Sequence, residues 1–140
     1  MCIRDSIIGV KICREDQDVI LSSLNGKSIR FNVEKIRLFK GRSSKGIRGI
    51  NLKEKDAIVS LSTIDKDSKN GKKGDKFILS VTENGFGKRS SSYQFRISNR
   101  GGSGIMCIAT SDRNGNVLAS FPVNDDDDVM LITKSGQVIR

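Results

Sequence analysis

The stretch VILSSLNGKSIR, Val19 to Arg30, is an apolar run, an Asn-Gly pair and a second run closing on a basic residue. Asn25-Gly26 supplies the positive φ of a tight turn, so the stretch predicts two antiparallel strands. It recurs. Residues 129–140 read VMLITKSGQVIR, an ungapped match, and FILSVTENGFGKR begins at Phe77 with one extra residue around Asn84-Gly85. A hairpin met three times is a repeat, and the repeat decides the architecture.

The downstream parts repeat too. GRSSKGIRGI (Gly41–Ile50) falls on NRGGSGIMCI (Asn99–Ile108), with Arg42 opposite Arg100 and Gly46 opposite Gly104. A second hairpin is expected after each: IRGINL, KEKD, AIVSLS in the first copy, and IMCIAT, SDRNGN, VLASFPV in the second. The opening IIGVKI reads as the last strand of a preceding unit. The unit is thus four strands in about fifty to sixty residues, starting near Asp18, Asp75 and Asp128. Four short antiparallel strands per unit predict an all-β chain of propeller-like blades. Helical periodicity is absent apart from a turn in Val33–Phe39. The expected division is a non-native lead at 1–6, the end of a preceding blade at 7–17, a blade at 18–74, another at 75–127, and the first hairpin of a truncated blade at 128–140. A propeller that stops after one hairpin reads as a fragment. Ile20, Phe31, Ile50, Val59, Phe77, Ile105, Ile108 and Phe121 are the expected blade cores.

The formal charge is +9 over 140 residues, which points to a polyanionic partner. Aromatic residues are only 5 %, too few for the stacking platforms that grip single strands, so the balance tilts to a duplex. Charge sign alternates in phase with the repeat. Lys27, Arg30, Lys35, Arg37, Lys40, Arg42, Lys45 and Arg48 share their stretch with one acid, Glu34; Lys88, Arg89, Arg96 and Arg100 share theirs with none. The acids gather before each first strand: Glu15, Asp16 and Asp18; Asp65, Asp67 and Asp75; Asp125 to Asp128. A positive stripe along one side of the array is expected to contact phosphates. The candidate contacts are Lys27, Arg30, Arg37, Lys40, Arg42, Lys45 and Arg48 in one blade, and Lys88, Arg89, Arg96 and Arg100 in the next. The glycine-rich corner Arg100, Gly101, Gly102, Ser103, Gly104 has two readings: backbone N–H groups meeting an anion, or a close crossing between strands.

Catalytic readings fail on the residues. There is no histidine, and Cys2, Cys13 and Cys107 form no CxxC, which argues against zinc and suits a reducing cytoplasm. Gly26-Lys27-Ser28 lacks the rest of a P-loop. DKDSKNG (Asp65–Gly71) has its Asn and Gly one place late for a calcium loop and Lys76 where the closing Glu belongs. Asp125–Asp128 reads as an exposed acidic loop.

TENGFGKRS, GRSSKGIRGINLKEKDAIVSL, SDRNGNVLASFPVNDDDDVMLIT and SGQVIR closely resemble the C-terminal domain family of the DNA gyrase A protein. The resemblance implies a six-bladed β-pinwheel, a propeller variant whose blades exchange strands, wrapping duplex DNA on a basic rim. It further implies that the whole enzyme, a type II DNA topoisomerase, uses ATP and Mg2+ for negative supercoiling, with no cofactor held here. Partners would be double-stranded DNA, the gyrase B protein and the rest of the gyrase A protein, in the bacterial cytoplasm at the nucleoid and away from membranes. The family's Gln-Arg-Arg-Gly-Gly-x-Gly box is only partly kept: Arg100–Gly104 retains Arg-Gly-Gly-x-Gly, but Ser98-Asn99 replaces Gln-Arg. Tyr93 lies in SSSYQFR, unlike the Ala-Ala-x-Arg-Tyr-Thr context of the family's DNA-cleaving tyrosine. Two alternatives stay open: the corresponding C-terminal domain of the related topoisomerase IV, and a propeller that docks an acidic protein.

Overall fold

The computed structural model describes residues 6–66 and 77–140. Most of the expected lead, Cys2, Asp67, Asp75, the calcium-loop candidate from 67 onward and the junction of the two expected blades lie outside the described residues.

The chain is all-β, with strands β1 (Gln17–Ser23), β2 (Lys27–Asn32), β3 (Ile58–Asp65), β4 (Phe77–Thr82), β5 (Gly87–Ser91), β6 (Ile105–Met106), β7 (Val117–Val123), β8 (Leu131–Ile132) and β9 (Val138–Ile139). The repeated stretch forms a hairpin each time: β1–β2, β4–β5 and β8–β9 are antiparallel pairs. Their turns place Gly26, Gly85 and Gly136 at φ of 78°, 80° and 81°, where a Cβ would be strained. The turn expected in Val33–Phe39 is a 3-10 turn at Val33–Lys35, and its counterpart is Ser92–Gln94. Asn32 caps the first through its side chain and Ser91 the second.

The sheets run β3-β1-β2-β6, β5-β4-β7 and β8-β9. Two expectations change here. IMCIAT is expected to pair within its own unit, but Ile105 and Met106 pair with Ser28 and Lys27 of β2. The fourth strand of the first sheet therefore comes from the second unit. Its counterpart in IRGINL, Ile47 and Arg48, forms no strand, because a strand needs a partner edge and none among the described residues meets it.

Alternation places the apolar residues. Val19 and Leu21 oppose Phe31 and Ile29 on one face of the first sheet, and Ile50 and Leu52 from the crossing segment cover them. From the other face Ile20 and Ile64 join Ile78, Phe95, Cys107, Ile108 and Val117 in a core shared with the second unit. Ile20, Phe31, Ile50 and Ile108 are buried as expected, and Val59 and Ile105 pack on the shared core. Phe77 and Phe121 are only half-buried. Serines tie β3 to β7: the Ser60 and Ser62 hydroxyls both donate to the Ser120 carbonyl, at 2.6 and 3.3 Å.

Candidate nucleic-acid interface

The basic segment of the first unit leaves β2 through the Val33–Lys35 turn and runs without regular structure from 36 to 53. Arg37, Lys40, Arg42, Lys45 and Arg48 are all exposed along it. Arg37 stacks over the Phe39 ring, 4.8 Å from its centroid, which holds the guanidinium out on the surface. The basic segment of the second unit, 95–104, crosses back along β2. Ser98 N donates to Arg30 O at 2.8 Å, and Arg30 and Ile97 form a parallel bridge.

The crossing brings the two segments together. Arg100 Nε donates to Lys35 O at 3.0 Å, so the second unit's arginine rests on the turn from which the first unit's basic run departs. Arg96, also exposed, lines a cavity of about 290 Å³ between the crossing segment and β2, beside Ser98, Gly102 and Ser103.

Of the two readings of the glycine corner, close crossing fits. Gly101 N donates to Gly49 O, and Asn51 N donates to Gly102 O at 2.8 Å, so the corner is stitched to the equivalent corner of the first unit. Gly104 has φ 71°, and a Cβ there would sit 2.6 Å from Ser28 O. The bare backbone lets the chain pass close enough to hand β6 to the first sheet.

Arg30 is a correction. As a phosphate contact it should lie on the surface, but it is 3 % exposed. Its Nε and Nη2 reach Asp18 Oδ2 at 2.8 and 2.7 Å, while Nη1 donates to Ser92 O at 3.0 Å. Asn32 Nδ2 donates to the other Asp18 oxygen at 3.1 Å. Arg30 faces away from Ile29 and Phe31, but both faces of this sheet are covered, so the alternate face is interior. Asp18, counted among the loop acids, is fully buried beside it. The pair grips the turn after β5 and thereby holds one unit on the next.

Other expected contacts are engaged in part. Lys88 Nζ donates to Cys107 O at 3.0 Å. Arg89 pairs with Asp125 at 2.7 Å and lies over Phe77, 4.3 Å from the centroid. Lys27 is half-buried next to β6. Asp127 caps Asn124 N at 2.7 Å and Asp128 pairs with Arg140, so the acids at 125–128 act on their own loop and hairpin. Tyr93 sits in the 3-10 turn after β5. Lys35 is the contact residue that charge counting passes over, since its backbone carbonyl carries its role. Among the described residues no group of three metal-ligating side chains exists, and no helix is long and apolar enough to cross a membrane.

Antiparallel sheets repeated along the chain, one lending a strand to another beside a cationic flank, define a propeller-type repeat domain. The family model described as "DNA gyrase C-terminal domain, beta-propeller" matches residues 17–65, 76–124 and 127–140, and the chain belongs to that family. The DNA gyrase A protein of Rickettsia bellii is 37 % identical, with 97 % of this chain and 19 % of that protein covered. That of Granulibacter bethesdensis is 35 % identical over 97 % of this chain and 20 % of its own length. This chain thus spans about a fifth of such relatives. A solved DNA gyrase A C-terminal domain superposes with TM-score 0.73 at 28 % identity, covering 89 % of this chain and 40 % of that one. The C-terminal domain of a DNA topoisomerase IV gives 0.75 at 23 % identity over 89 % and 36 %, a likeness of fold.

Proposed function

We propose that this chain binds and bends duplex DNA as part of a gyrase A protein, supporting negative supercoiling driven by ATP and Mg2+ elsewhere in the enzyme. The observation that carries this reading is the meeting of two basic segments through Arg100 and Lys35, which lines Arg37, Lys40, Arg42, Lys45 and Arg48 up with Arg96 and Arg100. Side chains on irregular backbone, none aimed by a recognition element, suit phosphates rather than base edges, so preference would follow DNA bendability. In the intact assembly the partners would be the gyrase B protein and the remainder of the gyrase A protein, in the bacterial cytoplasm at the nucleoid.

The test is a titration against a mixed-sequence duplex at several salt concentrations. If all seven exposed cations displace counterions, log K falls against log salt with a slope of up to about −6. A folded chain with no generic duplex affinity, or binding indifferent to salt, would reject the reading in favour of an acidic protein partner.

A further inference from the structure

Two parts of the chain carry strand chemistry without a sheet to complete. Residues 6–14 alternate apolar side chains with Gly9, Lys11 and Cys13, yet form no strand, and Val10 and Ile12 are 80 % and 99 % exposed. At the other end β8–β9 is a bare two-stranded hairpin, with Ile132, Val138 and Ile139 exposed. A lone hairpin is marginal in water, and exposed apolar strand edges invite pairing.

The internal repeat says what each part lacks. β8–β9 stands in the place of β1–β2, and the free edge of β1 is filled by β3. Residues 6–14 stand immediately before β1, where a preceding unit's counterpart of β3 belongs. Gly9 already rests on Leu61, on the face of the first sheet turned away from the core shared with the second unit. Thus the segment that β8–β9 lacks is present at the other end of the chain.

Two further features match. Asp128 and Arg140 occupy the places of Asp18 and Arg30 and already form the same ion pair, but with side chains 70 % and 74 % exposed instead of buried. Arg30 uses its remaining donors on Ser92 O and Phe95 O, carbonyls of the turn after β5. Their counterparts in the first unit are Val33 O and Ile36 O. Val33 O takes the Ile36 N–H of its own turn at 2.8 Å, as Ser92 O takes that of Phe95, and a carbonyl can accept a second donor. Lastly, Ile47 and Arg48, counterparts of β6, are a donor strand without a sheet, and the edge of β9 at Gln137 and Val138 is the counterpart of the edge that accepts β6.

We infer that copies of this chain join head to tail, the 6–14 segment of one copy completing the β8–β9 sheet of the next. In that contact Arg140 of the copy that offers β8–β9 grips the 33–36 turn of the copy that offers 6–14, whose Ile47 and Arg48 add to β9. The interface is heterologous, so it closes into a ring or extends. Each feature repeats a contact this chain already makes between its own units.

Light scattering on size-separated protein tests this. The chain should run as a concentration-dependent multiple of its 15.4 kDa mass. Val10→Lys with Ile12→Lys, on exposed residues, should return it to monomer with unchanged β-sheet circular dichroism, and so should Leu131→Lys with Arg140→Glu. Mixing the two defective chains leaves one good interface per pair and should give a dimer that does not grow. Monomer at all concentrations, assembly that survives either double substitution, or a mixture that stays monomeric would each overturn the proposal.

Discussion

Replacing Arg30 by Met keeps much of the length of the side chain and removes its charge. Asp18 is fully buried, and the substitution strips its Oδ2 of both guanidinium contacts, leaving Asn32 as its one side-chain donor among the contacts above. Breaking a buried pair by removing one partner costs about 3–5 kcal/mol, because the other charge stays in a low dielectric. For a chain of this size that is a fall in Tm of about 10–15 °C. The companion variant Asp18→Leu with Arg30→Met removes the charge problem and loses only the donors to Ser92 O and Phe95 O, roughly 1–3 kcal/mol. The double variant should therefore be more stable than Arg30→Met alone. Thermal melts followed by circular dichroism measure both, and duplex titration of the folded variants should show the salt slope of the parent chain. A loss below about 1 kcal/mol for Arg30→Met, or additive costs in the double variant, would refute the account of Arg30 as a clamp between units.

Arg42→Glu with Arg100→Glu should weaken duplex binding by at least about tenfold at low salt while the circular dichroism spectrum is retained; loss of β structure with binding intact would contradict the interface. Gly104→Ala should destabilise by at least about 1–3 kcal/mol in urea melts, since φ is positive and a backbone oxygen blocks the new methyl. Gly46→Ala, with nothing within 4 Å of the new carbon, should be close to neutral in the same assay. Ile64→Ala empties a fully buried site where the two units meet, and about 2–5 kcal/mol should be lost on chemical unfolding.

The hairpins are legible because Asn25-Gly26 and Asn84-Gly85 state their turn chemistry locally, and local chemistry survives into the structure. The partner of β6 is not legible. Ile105–Met106 and the pair Ile47 and Arg48 sit in equivalent sequence, but one finds an edge on β2 and the other finds none, and a two-residue strand exists only through its neighbour. Alternation assigns Arg30 to the side opposite Ile29 and Phe31, and a side opposite a core reads as wet until the second covering layer is known. A signal is present even so: Asp18 and Arg30 flank the repeated hairpin, and Asp128 and Arg140 flank its third copy. An acid and an arginine recurring together at the two ends of a hairpin mark a pair, not two loop charges. The exposed run from Arg37 to Arg48 is readable from charge alone, since a segment poor in apolar alternation has nothing to bury.

The loan of β6 to the first sheet separates two units that are usually taken as one. The stretch that gene duplication copies runs from one Asp-led hairpin to the next, whereas the stretch that completes a sheet extends past that boundary to Met106. An exchange of whole repeats between related genes would therefore always mix partners: the incoming hairpin receives its fourth strand, and the carbonyls that its arginine grips, from a neighbour with a different history. Repeats in such an array are expected to diverge least at those shared positions, and a graft that respects sheet boundaries should be better tolerated than one that respects sequence boundaries.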